Sequence, residues 1–303
     1  METEAHSILN YEFSDLLLGS DSYYLKKEGG IRPVPPALHD ELRRFYKDLG
    51  QRQQQDFLYR YRDEYFRAAR METVSGKWFA LRRASKQIMS LPELGFPRII
   101  QRYLLNTETL PSGLLVFAGR TGAGKTTSAC GMIKDRLDTV GGLAVTIEDP
   151  PELPLHGDYV RGVCFQRESH YTNFDQCIVD AMRYASPDII FLGELREPNA
   201  VSEALRAAVN GHLIVATIHT PDVQATIQRL YTLAQTKEGP GAAALLAEGF
   251  SGVIHQRLDK TLQLEILLAP EKNTGIRAKI RQEKFHQLST DIQEQMNKFF
   301  LGV

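Results

Sequence analysis

The sequence contains little cysteine and no long apolar run. Its three cysteines, Cys130, Cys164 and Cys177, form no C-x-x-C pair, which argues against both a disulfide framework and a structural zinc site. No stretch of eighteen or more apolar residues is present, and the acidic start at residues 1–4 is unlike a secretory signal. We therefore expect buried free thiols, no transmembrane segment and a location in the cytoplasm.

An excess of one charge is also missing. The 303 residues carry a formal net charge of −1 at pH 7, with 24% charged and 43% hydrophobic residues, as in ordinary soluble globular proteins. A protein that binds nucleic acid needs a basic surface to neutralise phosphates, so we expect no nucleic-acid partner. The length favours two domains.

The most informative run that is present spans residues 119–126 and fits the P-loop pattern G-x-x-x-x-G-K-[ST]. An apolar strand precedes it and a helix follows it, so backbone N–H groups of the loop can close on a phosphate chain. Lys125 is placed to neutralise the β- and γ-phosphates, and the Thr126 hydroxyl is the expected Mg²⁺ ligand. We therefore predict that a nucleoside triphosphate binds at Gly119, Arg120, Thr121, Gly122, Ala123, Gly124, Lys125, Thr126 and Thr127.

The chain changes character near Pro111. Before it, short apolar runs and helical stretches from Ala37 through Arg60 predict a smaller α+β domain, which ends in a linker over 91–97. A helix from about Arg98 to Leu105 follows, and apolar strands then alternate with helices. Strands are predicted at 114–118, 143–147, 189–192 and 213–217. Such strands predict an α/β fold with a largely parallel sheet covered on both faces, and domains of 1–97 and 98–303.

A second informative run, residues 186–194, predicts a buried strand that delivers Glu194 to the phosphate edge of the sheet. An acid after four apolar residues is common by itself, but beside a P-loop it indicates a Walker B carboxylate. Glu194 would orient and polarise the attacking water, or hold the Mg²⁺ shell.

Two further polar groups adjoin predicted strands. Glu148, Asp149 and Glu152 follow the strand at 143–147. Clustered carboxylates repel unless they share a cation, and the alternative is a solvated loop. His212 and His219 bracket the strand at 213–217. Lone histidines are usually structural, a zinc pair lacks further ligands at suitable spacing, and a neutral imidazole that senses the γ-phosphate is the sharper alternative.

These runs stand in the order and approximate spacing of one known superfamily. The P-loop, the acidic box 146–150, the run 187–197 and the histidine box 211–220 resemble the ATPases of type IV pili and of type II and type IV secretion. Residues 273–282 also resemble the Ala-Ile-Arg-Asn-Leu-Ile-Arg-Glu helix of the PilT retraction type. The tetracysteine zinc site typical of pilus-assembly and type II secretion members is absent. The likeness extends from about Ser14 to Ser289.

The resemblance implies a RecA-like C-terminal P-loop domain and a PAS-like N-terminal domain. It implies a ring of six identical subunits with ATP and Mg²⁺ held between domains. In such rings, arginines of the small domain reach the phosphates bound by the large one, and the matching positions are Arg67 and Arg82, with Arg83 as a backup.

The resemblance also implies roles for the acids and histidines. Glu194 is the catalytic carboxylate, and Glu148 is a second carboxylate near the metal or the water. His212 and His219 couple the nucleotide state to the sheet. The implied catalytic residues are Glu194, Glu148, Arg67, Arg82 and His219, and the implied metal ligands are Thr126, Glu148 and Glu194.

The function implied by the resemblance is a motor ATPase for pilus retraction, peripheral to the cytoplasmic face of the inner membrane and acting on an inner-membrane pilus or secretion platform. Three alternatives stay open. They are a motor of a type IV secretion or conjugative system, a non-hydrolysing regulator switched by ATP, and a P-loop small-molecule kinase. A kinase would need an acceptor pocket and a lid, and it gives no reason for the small N-terminal domain.

Overall fold

The structure, a computed structural model, describes residues 7–27, 30–85, 87–184, 186–270 and 274–301. Part of the predicted retraction-type motif, Asn273, lies outside these residues. Backbone contacts divide the chain into two compact units. The N-terminal unit is Met1–Gln87 with Glu152–Pro154, and the C-terminal unit is Ile88–Pro151 with Leu155–Val303. Each unit has its own sheet and its own apolar core.

The N-terminal unit is an antiparallel sheet with one long helix. Its strands are β1 (Asp15–Leu18), β2 (Tyr23–Lys27), β3 (Gly30–Pro33), β4 (Asp56–Tyr61), β5 (Glu64–Thr73) and β6 (Gly76–Arg83), in the order β3-β2-β1-β6-β5-β4. Helix α1 (His39–Leu49) buries Phe45 against Phe66 of β5, with ring centroids 5.9 Å apart. The helical prediction for 37–60 is confirmed only for α1. It is wrong at β4, where Phe57 and Tyr59 alternate into the same core with the two-residue period of a strand.

The C-terminal unit is built on a mixed sheet that is mostly parallel. Its strands are β7 (Gly113–Ala118), β8 (Gly142–Glu148), β9 (Gly157–Asp158), β10 (Gly162–Glu168), β11 (Ile189–Leu192), β12 (Leu213–Ile218), β13 (Phe250–Leu258) and β14 (Leu262–Leu268). The order is β14-β13-β7-β12-β11-β8-β10-β9, and only the edge pairs β13–β14 and β10–β9 are antiparallel. The four predicted strands are confirmed as β7, β8, β11 and β12. All residues of β7, β11 and β12 are buried, as expected of strands covered on both faces.

Helices cover both faces of this sheet. They are α2 (Arg98–Leu105), α3 (Lys125–Thr139), α4 (Phe174–Tyr184), α5 (Pro198–Val209), α6 (Val223–Glu238), α7 (Ala242–Gly249), α8 (Thr274–Arg281) and α9 (Leu288–Met296). Helix α3 packs on one face, and α4 to α7 pack on the other. The predicted helix over 98–105 is confirmed as α2. Among the helices that the structure describes, none combines the length and apolar character that crossing a membrane requires.

The segment before α2 crosses the P-loop helix α3 at close range. A Cβ atom on Gly131 of α3 would lie 2.5 Å from the backbone oxygen of Met89, so a glycine is needed for the crossing. One turn further along α3, the buried carboxylate of Asp135 accepts a hydrogen bond of 2.8 Å from Leu91 N, and burial raises the pKa of this carboxyl group. The residues predicted as a linker are thus packed on α3 and belong to the C-terminal unit.

Replacing Gly131 with alanine tests this crossing. Alanine favours a helix interior by about 1 kcal/mol over glycine, but the added methyl group would displace the backbone at Met89. We expect Gly131→Ala to lower the free energy of unfolding by about 1–3 kcal/mol, as overpacking does, measured by urea denaturation. The matched control is Gly241→Ala at the start of α7, where φ is −77° and a Cβ meets nothing within 4 Å. Equal stability of Gly131→Ala and wild type would contradict the close crossing.

Candidate functional site

The loop from β7 to α3 forms a pocket of backbone N–H groups at the carboxyl edge of the sheet. Gly119, Gly122 and Gly124 have φ values of 147°, 79° and 81°, which L side chains rarely adopt. Gly124 is the N-cap of α3, and no side chain caps this helix start. The N–H groups of the first turn lie at the positive end of the helix, where an anion binds favourably. The geometry fits a phosphate chain, as the sequence predicts.

Lys125, His219 and Glu194 form a connected row beside this loop. Lys125 is 6% exposed, and its Nζ donates to Arg120 O at 3.1 Å and lies 3.3 Å from His219 Nδ1. An ammonium group has only donors, so Nδ1 is the acceptor and the ring proton of a neutral imidazole sits on Nε2. His219 Nε2 is 3.5 Å from Glu194 Oε1. The two ring nitrogens of His219 thus link the lysine to the carboxylate.

Glu194 is held from both sides. Its Oε2 accepts from Arg196 Nη2 at 2.5 Å, and this hydrogen bond raises the pKa of the Arg196 guanidinium. The backbone before Glu194 is fixed, since Gly193 O accepts from the Thr217 hydroxyl at 2.5 Å. The guanidinium of Arg196 also lies over the Tyr171 ring, 5.5 Å from its centroid. The carboxylate thus has a defined direction at the same edge as the P-loop.

The three acids Glu148, Asp149 and Glu152 bind different partners. Glu148 is almost fully buried, and its Oε1 accepts from Thr146 Oγ1 at 2.7 Å and from Gln166 Nε2 at 2.8 Å. Asp149 Oδ2 accepts from a backbone N–H at 2.8 Å, and Glu152 forms an ion pair of 3.4 Å with an arginine of the N-terminal unit. Each of the three acids thus has its own partner within the protein, and a shared cation stays one of the two alternatives. Across the described residues, no group of three or more Asp, Glu, His or Cys side chains is arranged to hold a metal ion.

The two predicted histidines lie at opposite ends of β12. His212 precedes the strand, where its O accepts from Gly113 N at 3.0 Å and its Nδ1 is 3.3 Å from Ala207 O. The six residues of β12 separate it from His219, a span of about 20 Å at ~3.3 Å per residue. Because the P-loop follows the other end of the parallel neighbour β7, His212 lies away from the P-loop of its own subunit, and its nucleotide role stays a prediction.

The predicted arginines face each other across β5 and β6. Arg67 and Arg82 are register partners, and like charges placed so destabilise a sheet unless they are neutralised. Arg67 lies 3.4 Å from Glu152, and Arg82 donates to Asp15 Oδ1 at 3.0 and 2.8 Å. The backup candidate Arg83 donates instead to two backbone carbonyls of the N-terminal segment, a structural role. The action of Arg67 and Arg82 on a phosphate stays a prediction.

Other predicted residues have more limited contacts. Thr121 Oγ1 lies 3.5 Å from His219 Nδ1, beside the row. Thr126 and Thr127 occupy the first turn of α3. The three cysteines are buried, as predicted, and form no disulfide with one another. Burial raises the pKa of Cys164 to about 12, so this thiol is inert at neutral pH.

Three residues at this edge were missed by the sequence analysis. Arg196 could have been found, because it follows Glu194 by two positions in a recognised run. Gln166 of β10 and Gln256 of β13 lie in no recognised motif. Their strands are identified as neighbours of β8 and β7 only by pairing, which a local pattern does not reveal.

Two named proteins are similar to this chain over much of its length. A twitching motility protein of Neisseria gonorrhoeae is 32% identical over 237 residues, which are 75% of this chain and 61% of that protein. The chain therefore spans less than two thirds of that relative. A type IV pilus retraction ATPase, PilT, of Pseudomonas aeruginosa is 28% identical over 286 residues, covering 89% of this chain and 81% of that protein.

Solved structures and a family model agree with these relatives. The crystal structure of the pilus retraction motor PilT with bound ADP matches with a TM-score of 0.75 and 28% identity over 93% of this chain and 86% of that one. The ATPase DotB of Legionella pneumophila has the same fold, with a TM-score of 0.75 and 22% identity over 92% of this chain and 84% of that one. The predicted resemblance is confirmed. A model described as type II/IV secretion system protein matches residues 53–290, and the chain belongs to that family.

Proposed function

We propose that this protein is a pilus-retraction motor that hydrolyses ATP to ADP and phosphate with Mg²⁺. The observation that carries the proposal is the row Lys125–His219–Glu194 beside a P-loop whose helix start lacks a side-chain cap. It unites a phosphate-binding cation with a carboxylate fit for activating water, the two parts that phosphoryl transfer asks of a protein. The name of the Pseudomonas relative, a type IV pilus retraction ATPase, supports retraction as the work performed, and the name of the Neisseria relative supports a role in twitching motility.

The residues present fit both a nucleotide and its metal ion. The P-loop N–H groups and Lys125 would bind the phosphate chain. Mg²⁺ takes few protein ligands, all oxygen, and the Thr126 hydroxyl with the carboxylates of Glu148 and Glu194 is a suitable donor set. When bound, the ion would neutralise charge on the phosphate oxygens.

Glu194 would accept the hydrogen bond of the attacking water and orient it towards the γ-phosphate. Arg196 and His219 fix the direction of this carboxylate, so less reorganisation is needed when the water attacks. His219 lies between Lys125 and Glu194. A γ-phosphate that attracts the lysine ammonium would therefore change the hydrogen bond that His219 accepts, and couple phosphate occupancy to the carboxylate.

We further propose a RecA-like C-terminal domain, a PAS-like N-terminal domain and a homohexamer in which Arg67 and Arg82 act on phosphates bound by another subunit. The protein would work from the cytoplasmic face of the inner membrane on a pilus or secretion platform. An arginine supplied across an interface makes hydrolysis conditional on assembly. The ion pair of Arg67 with Glu152 supports this role, because both side chains are exposed and a pair of this kind is weak and can be exchanged for a phosphate.

Phosphate release from ATP tests the hydrolysis proposal. We expect Mg²⁺-dependent release without any added acceptor. Glu194→Gln should lower kcat about a hundredfold or more, the range for a positioned general base, with ADP binding retained. Lys125→Ala should lose both binding and turnover. The matched control is Lys134→Ala on the same helix, which loses a pair of 3.0 Å with Asp138 and should keep full activity. Formation of ADP only with an added acceptor, and without free phosphate, would indicate a kinase. Binding of ADP without turnover would indicate a regulator.

Mixing inactive variants tests the arginine proposal. Arg67→Ala and Lys125→Ala should each be inactive alone, since an arginine finger contributes about 10³-fold or more to turnover. Mixed rings should regain ATPase activity, because the first variant supplies an intact P-loop and the second an intact arginine. Lys125→Ala with Glu194→Gln is the control, as both residues belong to one row and should not complement. No recovery for the first mixture would exclude action between subunits.

A further inference from the structure

Gln256 lies beside the P-loop, although no motif includes it. It belongs to β13, which pairs with β7 so that His255 is opposite Ala118, the last residue before the loop. Gln256 is therefore level with the start of the loop at Gly119. Its side chain is buried, with 1% of the residue exposed. A buried amide at this position has to direct its polar atoms at the loop or leave them without partners.

The contacts of Gln256 reach both ends of the loop. Its Nε2 donates a short hydrogen bond to Ala123 O. A Cβ atom on Gly119 would lie 2.4 Å from the backbone oxygen of Gln256, and a Cβ on Gly124 would lie 3.2 Å from its Nε2. Gly119 and Gly124 thus leave space for Gln256 because they lack side chains. The contact with Ala123 is a hydrogen bond.

The hydrogen bond determines how one peptide group is turned. Ala123 O is an acceptor, so the amide nitrogen of Gln256 has to face it. In a planar trans peptide the C=O and the following N–H point in opposite directions. Holding Ala123 O towards β13 therefore turns the N–H of Gly124 away from β13. Gly124 is the N-cap of α3, at the position where the phosphate chain would lie.

The same orientation leaves Gln256 Oε1 buried with no hydrogen-bond partner among the residues described. An unsatisfied buried acceptor lowers stability, and an apolar side chain of equal length would avoid that cost. Packing alone therefore does not explain an amide at this position. The hydrogen bond from its Nε2 to Ala123 O does.

We infer that Gln256 is a positioning residue of the phosphate site, which fixes the Ala123–Gly124 peptide so that the N–H of Gly124 is directed at the bound nucleotide. This inference rests on the proposed function. It predicts that the loop is ordered for phosphate binding before any nucleotide arrives, because both partners of the bond belong to the protein itself.

Binding of ADP to Gln256→Met tests the inference. Methionine keeps the length of the side chain and removes the donor. We expect the Kd for ADP, measured by titration calorimetry, to rise about tenfold, which corresponds to about 1.4 kcal/mol. The kcat at saturating ATP should stay within about threefold of wild type, because the N–H contacts phosphate in the ground state and the transition state alike. The thermal unfolding midpoint should change little, because the variant removes one unsatisfied acceptor, Gln256 Oε1, but leaves Ala123 O without its donor.

Gln256→Glu supplies a second, isosteric variant. An ionised carboxylate has no proton to donate to Ala123 O, whereas the neutral acid does. The ratio of its Kd for ADP to that of wild type, measured at the same pH, should therefore fall as pH is lowered. Relief of the repulsion between the carboxylate and the phosphates would give the same trend, so the uncharged variant Gln256→Met decides between the two causes.

The control variant is Gln263→Met on β14, an exposed glutamine of the same hairpin, which should bind ADP like wild type. If Gln256→Met binds ADP as tightly as wild type, the inference is overturned while the proposed function stands. If wild type and Gln263→Met bind no ADP, the proposed function itself fails.

Discussion

Parallel strand pairing is the constraint on which the rest of the C-terminal unit depends. Strands β7, β12, β11 and β8 run in one direction, so the residues that follow them meet at one edge of the sheet. The P-loop, His219, Glu194 and Glu148 come from four separate parts of the chain and reach that edge for this reason alone. His212 illustrates the converse. It adjoins the same strand as His219, but at the amino end, and strand direction excludes it from the cluster.

The sequence predicted best what depends on local pattern. Strand β7 and helix α2 were predicted correctly because each is rich in apolar residues and has a proline or glycine at its start. Strand β4 was mistaken for helix, since residues 51–56 are polar and the alternation of Phe57 and Tyr59 is short. Strand β13 was not predicted, and with it Gln256 was missed, because its importance lies in pairing with β7, more than a hundred residues earlier in the chain.

The partners of the acids at 148–152 could not be predicted from the local sequence either, because they too depend on residues distant in the chain. Three acids within five residues repel when considered alone, and a shared cation is then the obvious remedy. In the folded chain Glu148 finds Thr146 and Gln166, while Glu152 pairs with Arg67 of the N-terminal unit. The free energy of a carboxylate is set by neighbours in space, and hydrogen bonds from neutral donors can stabilise it as a cation does.

Helix α3 connects this edge to the segment that precedes α2. Its first residue is Lys125, and its later turns carry Asp135, which binds Leu91 N, and Arg136, which donates to two backbone carbonyls at residues 104 and 110. Burial lowers the pKa of Arg136 to about 10, so the guanidinium remains charged at neutral pH and strongly needs both acceptors. Helix α3 is continuous over 15 residues. A displacement of Lys125 along the helix axis that kept the helix intact would therefore be shared by Asp135 and Arg136. Residues 91, 104 and 110 would have to follow for the buried hydrogen bonds to persist.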